Sequence, residues 1–213
     1  RELLGVRDDD VVAGLGEPLV GLRVHLGAVG GVDVELVEDV ADRGGVHRLA
    51  ADLAVDGDLD VLLVAHRDGV AVLDIGGANV NGSYRDIFLG PKVHYVAADL
   101  AAAEGVDMVL DDPYRIPVPD GAFDVVISGQ MFEHCEFFWL AFQEMVRVVK
   151  DDGFLFLIAP SGGPIHRYPV DCYRFYPDSY VALAKYANCH LERWWLDERG
   201  PWNDLVGVFR KLI

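Results

Sequence analysis

One stretch of the chain, Val72-Leu73-Asp74-Ile75-Gly76-Gly77-Ala78-Asn79, restricts its possible folds more than any other. An apolar run reaches an acidic residue and opens into a Gly-Gly turn, which is how a buried parallel strand brings its backbone close to a ligand. On its own the pattern is weak evidence, because the full G-x-G-x-x-G spacing is missing. Its weight comes from later apolar runs that are also followed by polar residues, namely Asp99, Asp112-Pro113 and Ser128-Gly129-Gln130.

Near-continuous apolar runs beyond residue 70 predict strands that are covered on both faces. These runs span residues 70–75, 93–98, 106–110, 123–128 and 154–159. Helices are predicted at 136–150 and 178–187, and two late strands at 191–196 and 205–212 are predicted to form a hairpin at one sheet edge. Strands that alternate with helices predict an α/β fold with a doubly wound, mostly parallel sheet and a late antiparallel edge strand.

Two details of this pattern are open to test. Only about eight residues, from Asp99 to Val106, separate the second and third predicted strands, whereas a parallel crossover usually needs a dozen or more. Either the third strand is vestigial or the connection is an irregular turn. The helix at 136–150 is expected to end with Lys150 as a C-terminal cation and Gly153 as the helix-ending glycine.

The first third of the chain differs in composition from the rest. Residues 1–74 contain only nine residue types, and each has codons that begin with G or C. A coding bias or an error in reading frame explains this as well as selection for function does. We therefore divide the chain into a biased segment of uncertain structure at 1–69, to which we assign no activity, and a domain at 70–213.

Charge and cysteine content exclude some partners. The chain has 18 basic and 35 acidic residues, a formal charge of −17, which disfavours a nucleic acid partner. No apolar run approaches the length of about 20 residues that spans a membrane, so no membrane partner is expected. The three cysteines, Cys135, Cys172 and Cys189, lack C-x-x-C spacing, which predicts reduced thiols in a cytoplasmic protein.

Taken as an ordered series, four motifs of this chain resemble those of class I S-adenosylmethionine-dependent methyltransferases. They are Asp74-Ile75-Gly76-Gly77, Asp99, Asp112-Pro113 and Phe123-Asp124-Val125-Val126-Ile127-Ser128. The chain is most similar to the small-molecule, type 11-like branch, and the resemblance covers about residues 70–160 well. It implies a Rossmann-like fold, S-adenosylmethionine as the cofactor and transfer of its methyl group to a small molecule.

The resemblance also implies roles for individual residues. Asp99, at the end of a strand, is placed to accept hydrogen bonds from both ribose hydroxyls, as the acid does in dinucleotide folds. Asp112 is expected to accept from the adenine amino group, with Pro113 against the ring. Asp74 would orient the turn or meet the cofactor's ammonium group. The remaining expected contacts are the backbone of Gly76, Gly77 and Ala78 in the turn, and Ser128 to Gln130 near the methylthio end.

Two observations compete with these assignments. The family carries glycine at every second position after the acid, and here Ala78 and Val80 replace the second and third of these glycines. Single aspartates also serve often in turns and helix caps. Three acids at the ends of successive strands favour the ligand-binding interpretation, because open α/β sheets bind ligands there.

Two further clusters carry reactive side chains. Residues 133–136, Glu-His-Cys-Glu, are not spaced as a zinc site, and we expect no metal there. Residues 162–177 follow the fifth strand and are rich in aromatic and charged side chains, so they form either a catalytic loop or an aromatic lid with internal pairing. If the loop is catalytic, His166 is the candidate general base and Asp171 orients it or acts in its place. Arg167 and Arg174 are candidates to hold an anionic group of the substrate.

The predicted reaction is attack of a hydroxyl oxygen, or less favourably a nitrogen, of a small polar metabolite on the sulfonium methyl. A sugar or a natural-product intermediate would suit as the acceptor. One alternative is a binding module that holds the cofactor without catalysis, which Ala78 and Val80 would favour. The other is a nicotinamide-dependent oxidoreductase, which should show the missing G-x-G-x-x-G spacing. The oligomeric state is not predicted.

Overall fold

The computed structural model describes residues 22–26, 32–36, 69–80, 82–88 and 92–213, of which 22–26, 32–36 and 86–87 are described by their backbone alone. The chain divides into two compact units, Arg1–Ala41 and Asp42–Ile213. In the first unit, β1 (Leu22–Leu26) pairs antiparallel with β2 (Val32–Leu36), so that Leu22 lies opposite Leu36. The predicted boundary at residue 69 adjoins a stretch that lies outside the described residues, and it stays a prediction.

The second unit is built on a seven-stranded mixed sheet. Its strands are β3 (Ala71–Ile75), β4 (His94–Asp99), β5 (Met108–Val109), β6 (Phe123–Gly129), β7 (Val149–Pro160), β8 (Cys189–Asp197) and β9 (Asp204–Lys211). Their order across the sheet is β5-β4-β3-β6-β7-β9-β8. The first five strands in this order run parallel, whereas β9 pairs antiparallel with both β7 and β8. The predicted mixed α/β sheet with a late antiparallel hairpin is confirmed.

The apolar runs form strands because both faces of each central strand are covered. Val72, Leu73, Val126 and Ile127 are fully buried, as are Leu155 and Leu157 of β7. Two helices contribute to this core, α1 (Phe138–Val148) and α2 (Pro177–Ala187). Phe142 of α1 packs edge-on against Phe209 of β9, at a ring-centroid distance of 4.9 Å. No helix in the described part of the chain is long and apolar enough to cross a membrane.

The third parallel strand is vestigial, and its connection is irregular. β5 has only two residues, Met108 and Val109, which pair with the end of β4. The link from β4 to β5 contains bends and turns in place of a helix. Both explanations offered for the short link, a vestigial strand and an irregular connection, therefore apply.

The end of α1 corrects one expectation. The helix ends at Val148, and Lys150 to Gly153 belong to β7. Asp152, with φ of 62°, takes the left-handed backbone that was expected of Gly153. Gly153 is needed for space, because a Cβ there would lie 2.8 Å from Val149 Cγ2 and 2.9 Å from the carbonyl oxygen of Asp124. The chain passes directly from α1 into β7, and Gly153 of β7 lies where there is no room for a side chain.

The parallel strands place four loops at one edge of the sheet. β3, β4, β6 and β7 all point their carboxyl ends in the same direction. The segments that follow them begin at Gly76, Leu100, Gln130 and Ser161. Ligands of open α/β sheets bind at this edge, and the candidate residues from the sequence lie in or beside these segments, apart from Asp112 and Pro113, which follow the parallel strand β5.

Candidate functional site

The turn after β3 is held against β4 by its own backbone. The N–H groups of Gly76 and Gly77 both donate to the carbonyl oxygen of Ala98, at 2.8 and 3.1 Å. Gly76 has φ of 80°, which favours glycine, and a Cβ there would lie 2.8 Å from Cβ of Met131. The Gly-Gly pair therefore lets the turn lie directly on the neighbouring strand and beside the loop after β6.

Asp74 lies beneath this turn. Its side chain is buried and accepts a 2.6 Å hydrogen bond from the hydroxyl of Tyr95. Burial raises the pKa of Asp74 to about 6, although the Tyr95 hydrogen bond acts in the opposite direction. A Cβ on Gly77 would lie 2.8 Å from Asp74 Oδ2. Of the two roles expected for Asp74, these contacts favour orientation of the turn.

Asp99 ends β4 and faces the turn from the other side. Its Oδ2 accepts from the backbone N–H of Ala78 at 3.3 Å, and its Oδ1 accepts from the N–H of Leu100 at 2.7 Å. The residue is partly exposed. A carboxylate offers about four lone pairs, so acceptor capacity remains for a ligand with adjacent hydroxyl groups.

Asp112 and Pro113 follow β5 and are both exposed. Asp112 Oδ1 accepts from the backbone N–H of Tyr114 at 2.8 Å, so this acid also has the turn role that competes with ligand binding. The second carboxylate oxygen adds acceptor capacity. The exposed pair thus lies one strand further along the edge than Asp99.

Ser128 and Gln130 at the end of β6 differ in exposure. Ser128 is fully buried, and its hydroxyl donates to the carbonyl oxygen of Ile75 at 2.9 Å, which ties β6 to β3. Gln130 is exposed, with φ of 56°, and its N–H donates to the carbonyl oxygen of Ile158. Of these two side chains, Gln130 is the more accessible to a ligand.

The loop at 162–177 is organised by one ion pair. Arg174 Nη1 lies 2.6 Å from Asp171 Oδ1, and Arg174 Nη2 lies 2.9 Å from Asp171 Oδ2. This pairing is the main reason that the pKa of Asp171 lies well below its ordinary value. Asp171 Oδ2 also accepts from the backbone N–H of His166 at 2.7 Å. Asp171 therefore suits orientation of the loop better than proton removal. Arg167, the other arginine of the loop, is exposed.

His166 is half-buried between two neighbours. Its ring lies 4.4 Å, centroid to centroid, from that of Trp202. Its Nε2 atom lies 3.9 Å from Oε1 of Glu133, whose side chain is completely buried. Burial raises the pKa of Glu133 to about 7. A histidine that faces a buried carboxyl group is suited to exchange a proton with a bound molecule.

Some neighbours of the site carried no signal in the sequence. Tyr95 holds Asp74, and Trp202, in the turn between β8 and β9, supports His166. The approach of Glu133 to His166 joins the loops after β6 and β7, so their spacing along the chain did not reveal it. The place of Tyr95 within the apolar run at 93–98 was the one available hint, since it predicts that Tyr95 is buried in the sheet.

The chain is similar in sequence to known methyltransferases. A family model described as a methyltransferase domain matches residues 78–157. A ubiquinone/menaquinone biosynthesis C-methyltransferase from Ectopseudomonas mendocina (strain ymp) is 29% identical over 169 residues, which is 70% of this chain and 62% of that protein. Ajmaline N-methyltransferase from Rauvolfia serpentina is 32% identical over 79 residues, 35% of this chain and 27% of that protein. The chain thus spans less than two thirds of either curated relative.

A solved structure shares the fold at low sequence identity. The Burkholderia thailandensis 1,6-didemethyltoxoflavin-N1-methyltransferase, crystallised with 1,6-didemethyltoxoflavin and S-adenosylhomocysteine, has a TM-score of 0.56 and 15% identity to this chain. The match covers 89% of this chain and 99% of that one. At this identity the similarity concerns the fold.

Proposed function

The chain belongs to the class I S-adenosylmethionine-dependent methyltransferases, and from this premise we propose that it transfers a methyl group to a hydroxyl of a small polar molecule. The observation that carries the proposal is the placement of Asp99 and His166. Both follow parallel strands at the same edge of the sheet, where Asp99 has free acceptor capacity and His166 faces the buried carboxyl group of Glu133.

The residues at this edge fit the proposed cofactor. The Gly76-Gly77 turn admits close backbone approach, since side chains at either position would collide with Met131, Asp74 or Ala97. Asp99 would bind the ribose hydroxyls, and Asp112 with Pro113 would contact the adenine. Ala78 replaces a glycine of the family, and its N–H remains directed at Asp99, so the substitution preserves the link between turn and acid.

When bound, S-adenosylmethionine supplies an activated methyl group and its own leaving group. The work left to the chain is alignment, exclusion of water and removal of one proton. We assign proton removal to Nε2 of His166, with Asp171 and Trp202 holding the ring. Residues 164–177 would cover the acceptor, because Tyr173 and Phe175 anchor this loop on Phe138 at ring-centroid distances of 4.8 and 5.0 Å.

The two curated relatives are a C-methyltransferase and an N-methyltransferase by name. The proposal of a hydroxyl acceptor is therefore based on the residues of this chain alone. A sugar or a natural-product intermediate is the acceptor class we propose. Arg167, exposed in the loop, is our candidate to hold an anionic group of that molecule, because Arg174 is already paired with Asp171.

The test is calorimetric titration of the purified chain with S-adenosylmethionine, S-adenosylhomocysteine and NAD, repeated with Asp99→Ala. We expect the first two ligands to bind and the variant to lose both. Binding of NAD alone would overturn the proposal in favour of an oxidoreductase. An acceptor screen then follows release of S-adenosylhomocysteine with alcohols and amines, and a binding module without catalysis would release none with any acceptor.

A further inference from the structure

Three donor groups from two loops converge beside the proposed acceptor position. Glu133, His134 and His166 each offer one ligand atom, and these atoms lie within 4.8 Å of one another. Glu133 and His134 belong to a 3-10 turn after β6, Phe132–His134, whereas His166 lies in the loop after β7. The cluster therefore depends on the fold and has no local spacing pattern.

The carboxylate of Glu133 is the unusual member of this cluster. Its side chain is 0% exposed, and neither of its oxygen atoms has a hydrogen-bond partner among the described residues. A buried carboxylate without hydrogen bonds is costly unless a cation or a donor accompanies it. Two imidazole nitrogens face Oε1 of Glu133, His134 Nε2 at 3.5 Å and His166 Nε2 at 3.9 Å, both beyond the usual hydrogen-bond distance.

Both histidines direct their Nε2 atoms toward Glu133. His134 Nδ1 lies 2.6 Å from the carbonyl oxygen of Val170, so Nδ1 donates to this oxygen and Nε2 faces Glu133. His166 Nδ1 lies 3.4 Å from Asp171 Oδ2 and 3.5 Å from Arg174 Nη2, and its Nε2 also faces Glu133. Metal-bound histidines usually donate their second N–H to a carbonyl or a carboxylate, as His134 does to Val170.

The surrounding charges favour a cation. The charged side chains that act on Glu133 are Asp204, Asp171 and Arg174. Together with Glu133, they comprise three carboxylates and one guanidinium. His166 is 35% exposed and His134 is 13% exposed, so both imidazoles are in contact with solvent.

We propose that Glu133, His134 and His166 bind one divalent transition-metal ion. Two imidazoles and one carboxylate suit zinc, iron or cobalt better than magnesium or calcium. Ligand atoms about 2.0–2.2 Å from an ion lie roughly 3–4 Å apart, so the three side chains close by about 1 Å on binding. This departs from the expectation of no metal, which rested on the spacing of residues 133–136 and on the family resemblance, in which they form the loop before the next helix.

The role of the ion rests on the proposed methyl transfer. Three protein ligands leave a coordination position open, as in catalytic zinc sites. An acceptor hydroxyl bound at that position would lose its proton to water more readily. Its oxygen would then accept the methyl group, while the electron pair of the broken carbon–sulfur bond stays on sulfur. In the ion-bound protein His166 is a ligand, and it serves as the base only when no ion is bound.

The experiment measures binding of Co²⁺ and Zn²⁺ to the untagged full chain after chelator treatment, by equilibrium dialysis and by the visible absorption of Co²⁺. We expect one ion per chain. Glu133→Gln, His134→Gln and His166→Gln should each weaken binding by at least about tenfold. His190→Gln is the matched control, since His190 is an exposed histidine beside an acid, Glu192, on β8. It should leave the affinity unchanged.

A second measurement needs no variant. Zinc should protect His166 from acylation by diethylpyrocarbonate, whereas His190 should react equally with and without zinc. Failure of the wild-type chain to bind one ion, or equal loss in the His190 variant, would overturn the inference. Binding of S-adenosylmethionine, measured on the same samples without metal, separates the two proposals. Cofactor binding without ion binding would contradict only the metal site, and ion binding without cofactor binding would contradict the proposed function.

Discussion

The backbone N–H of Ala78 donates a hydrogen bond to Oδ2 of Asp99, with 3.3 Å between the two atoms. This bond joins the turn after β3 to the acid that ends β4. The Oδ1 atom of the same carboxylate accepts from Leu100. Asp99 therefore both shapes the turn and keeps lone pairs available for a ligand, which unites the two interpretations that the sequence left in competition.

We expect Asp99→Asn to weaken binding of S-adenosylmethionine by about tenfold to a hundredfold, because hydrogen bonds to a charged acceptor contribute about 1.5–3 kcal/mol. Asparagine retains one acceptor oxygen for Ala78, so the fold should persist. Calorimetric titration measures the affinity, and circular dichroism checks the fold.

Asp112→Asn and Asp111→Asn form a matched pair for the adenine end. The two acids are neighbours in the chain and both are exposed. The first should weaken cofactor binding by several-fold, whereas the second should leave it unchanged. Equal effects of the two substitutions would mean that general surface charge, and not a contact from Asp112, controls the affinity.

Gly77→Ala should destabilise the domain by about 1–3 kcal/mol, the usual cost of overpacking a buried site. Its new Cβ would lie 2.8 Å from Asp74 Oδ2 and 2.9 Å from Cβ of Ala97. Gly162→Ala is the control, because the nearest atom to its Cβ would be Asn203 Nδ2 at 3.5 Å, an ordinary contact. Urea denaturation of both variants measures the difference, and equal midpoints would contradict the packing argument.

Asp74 should make the stability of the ligand-free protein depend on pH. Its pKa rises from 3.8 to about 6 on folding, so between these values the folded chain holds a proton that the unfolded chain has lost. Stability contributed by this group is therefore complete below pH 3.8 and is lost as the pH rises through 6. The full loss is about 3 kcal/mol, because a pKa that differs by one between the folded and unfolded chains corresponds to roughly 1.4 kcal/mol.

The measurement compares Asp74→Asn with wild type by urea denaturation across this pH range. The variant should gain in relative stability as the pH rises from 4 to 7, and a constant difference would contradict the argument. Tyr95→Phe removes the hydrogen bond that lowers the pKa of Asp74. In that variant the pH-dependent loss should extend to higher pH than in wild type.

The strands could be predicted from the sequence because their physical cause is local. Residues such as Val72, Val126 and Leu155 are buried in a sheet that is covered on both faces. An unbroken apolar run in the sequence is typical of such a strand. Asp99 and Asp112 were selected as candidate ligand-binding residues for the same reason, since each follows such a run. The role of Gly153 could not be predicted, because this glycine is required by contacts with Val149 and with Asp124 of the neighbouring strand β6, whereas the helix itself ends at Val148.

The acceptor side of the site was only partly predictable. His166 and Asp171 were singled out because their loop is rich in aromatic and charged side chains, but their partners were not. Glu133 and Trp202 approach His166 from other parts of the chain. Such contacts depend on the conformation of separate loops at the edge of the sheet. Sequence spacing predicts which residues are neighbours within one helix, strand or loop. It does not predict contacts between separate loops, so a site formed by two loops is difficult to recognise from the sequence.

Arg147 of α1 supports the segment that carries Asp112. Its guanidinium lies 2.6 Å from Glu144 Oε1 and donates to the carbonyl oxygens of Ile116 and Val118, both at 2.9 Å. Glu144 Oε1 also accepts from the backbone N–H of Ile116 at 2.8 Å. The Arg147 side chain is 17% exposed, so these charge-assisted bonds are largely shielded from solvent.

Arg147→Lys should lower the free energy of unfolding by about 1–3 kcal/mol, because an ammonium group cannot reach Glu144 and both carbonyl oxygens at once. Arg115→Lys is the matched control, since Arg115 contacts the same Glu144 at 3.7 Å but is 65% exposed. It should change stability by less than about 0.5 kcal/mol. Hydrogen exchange should quicken at residues 114–118 in the first variant alone. Unchanged exchange there would mean that Arg147 does not hold this segment, and that Asp112 is positioned by its own turn.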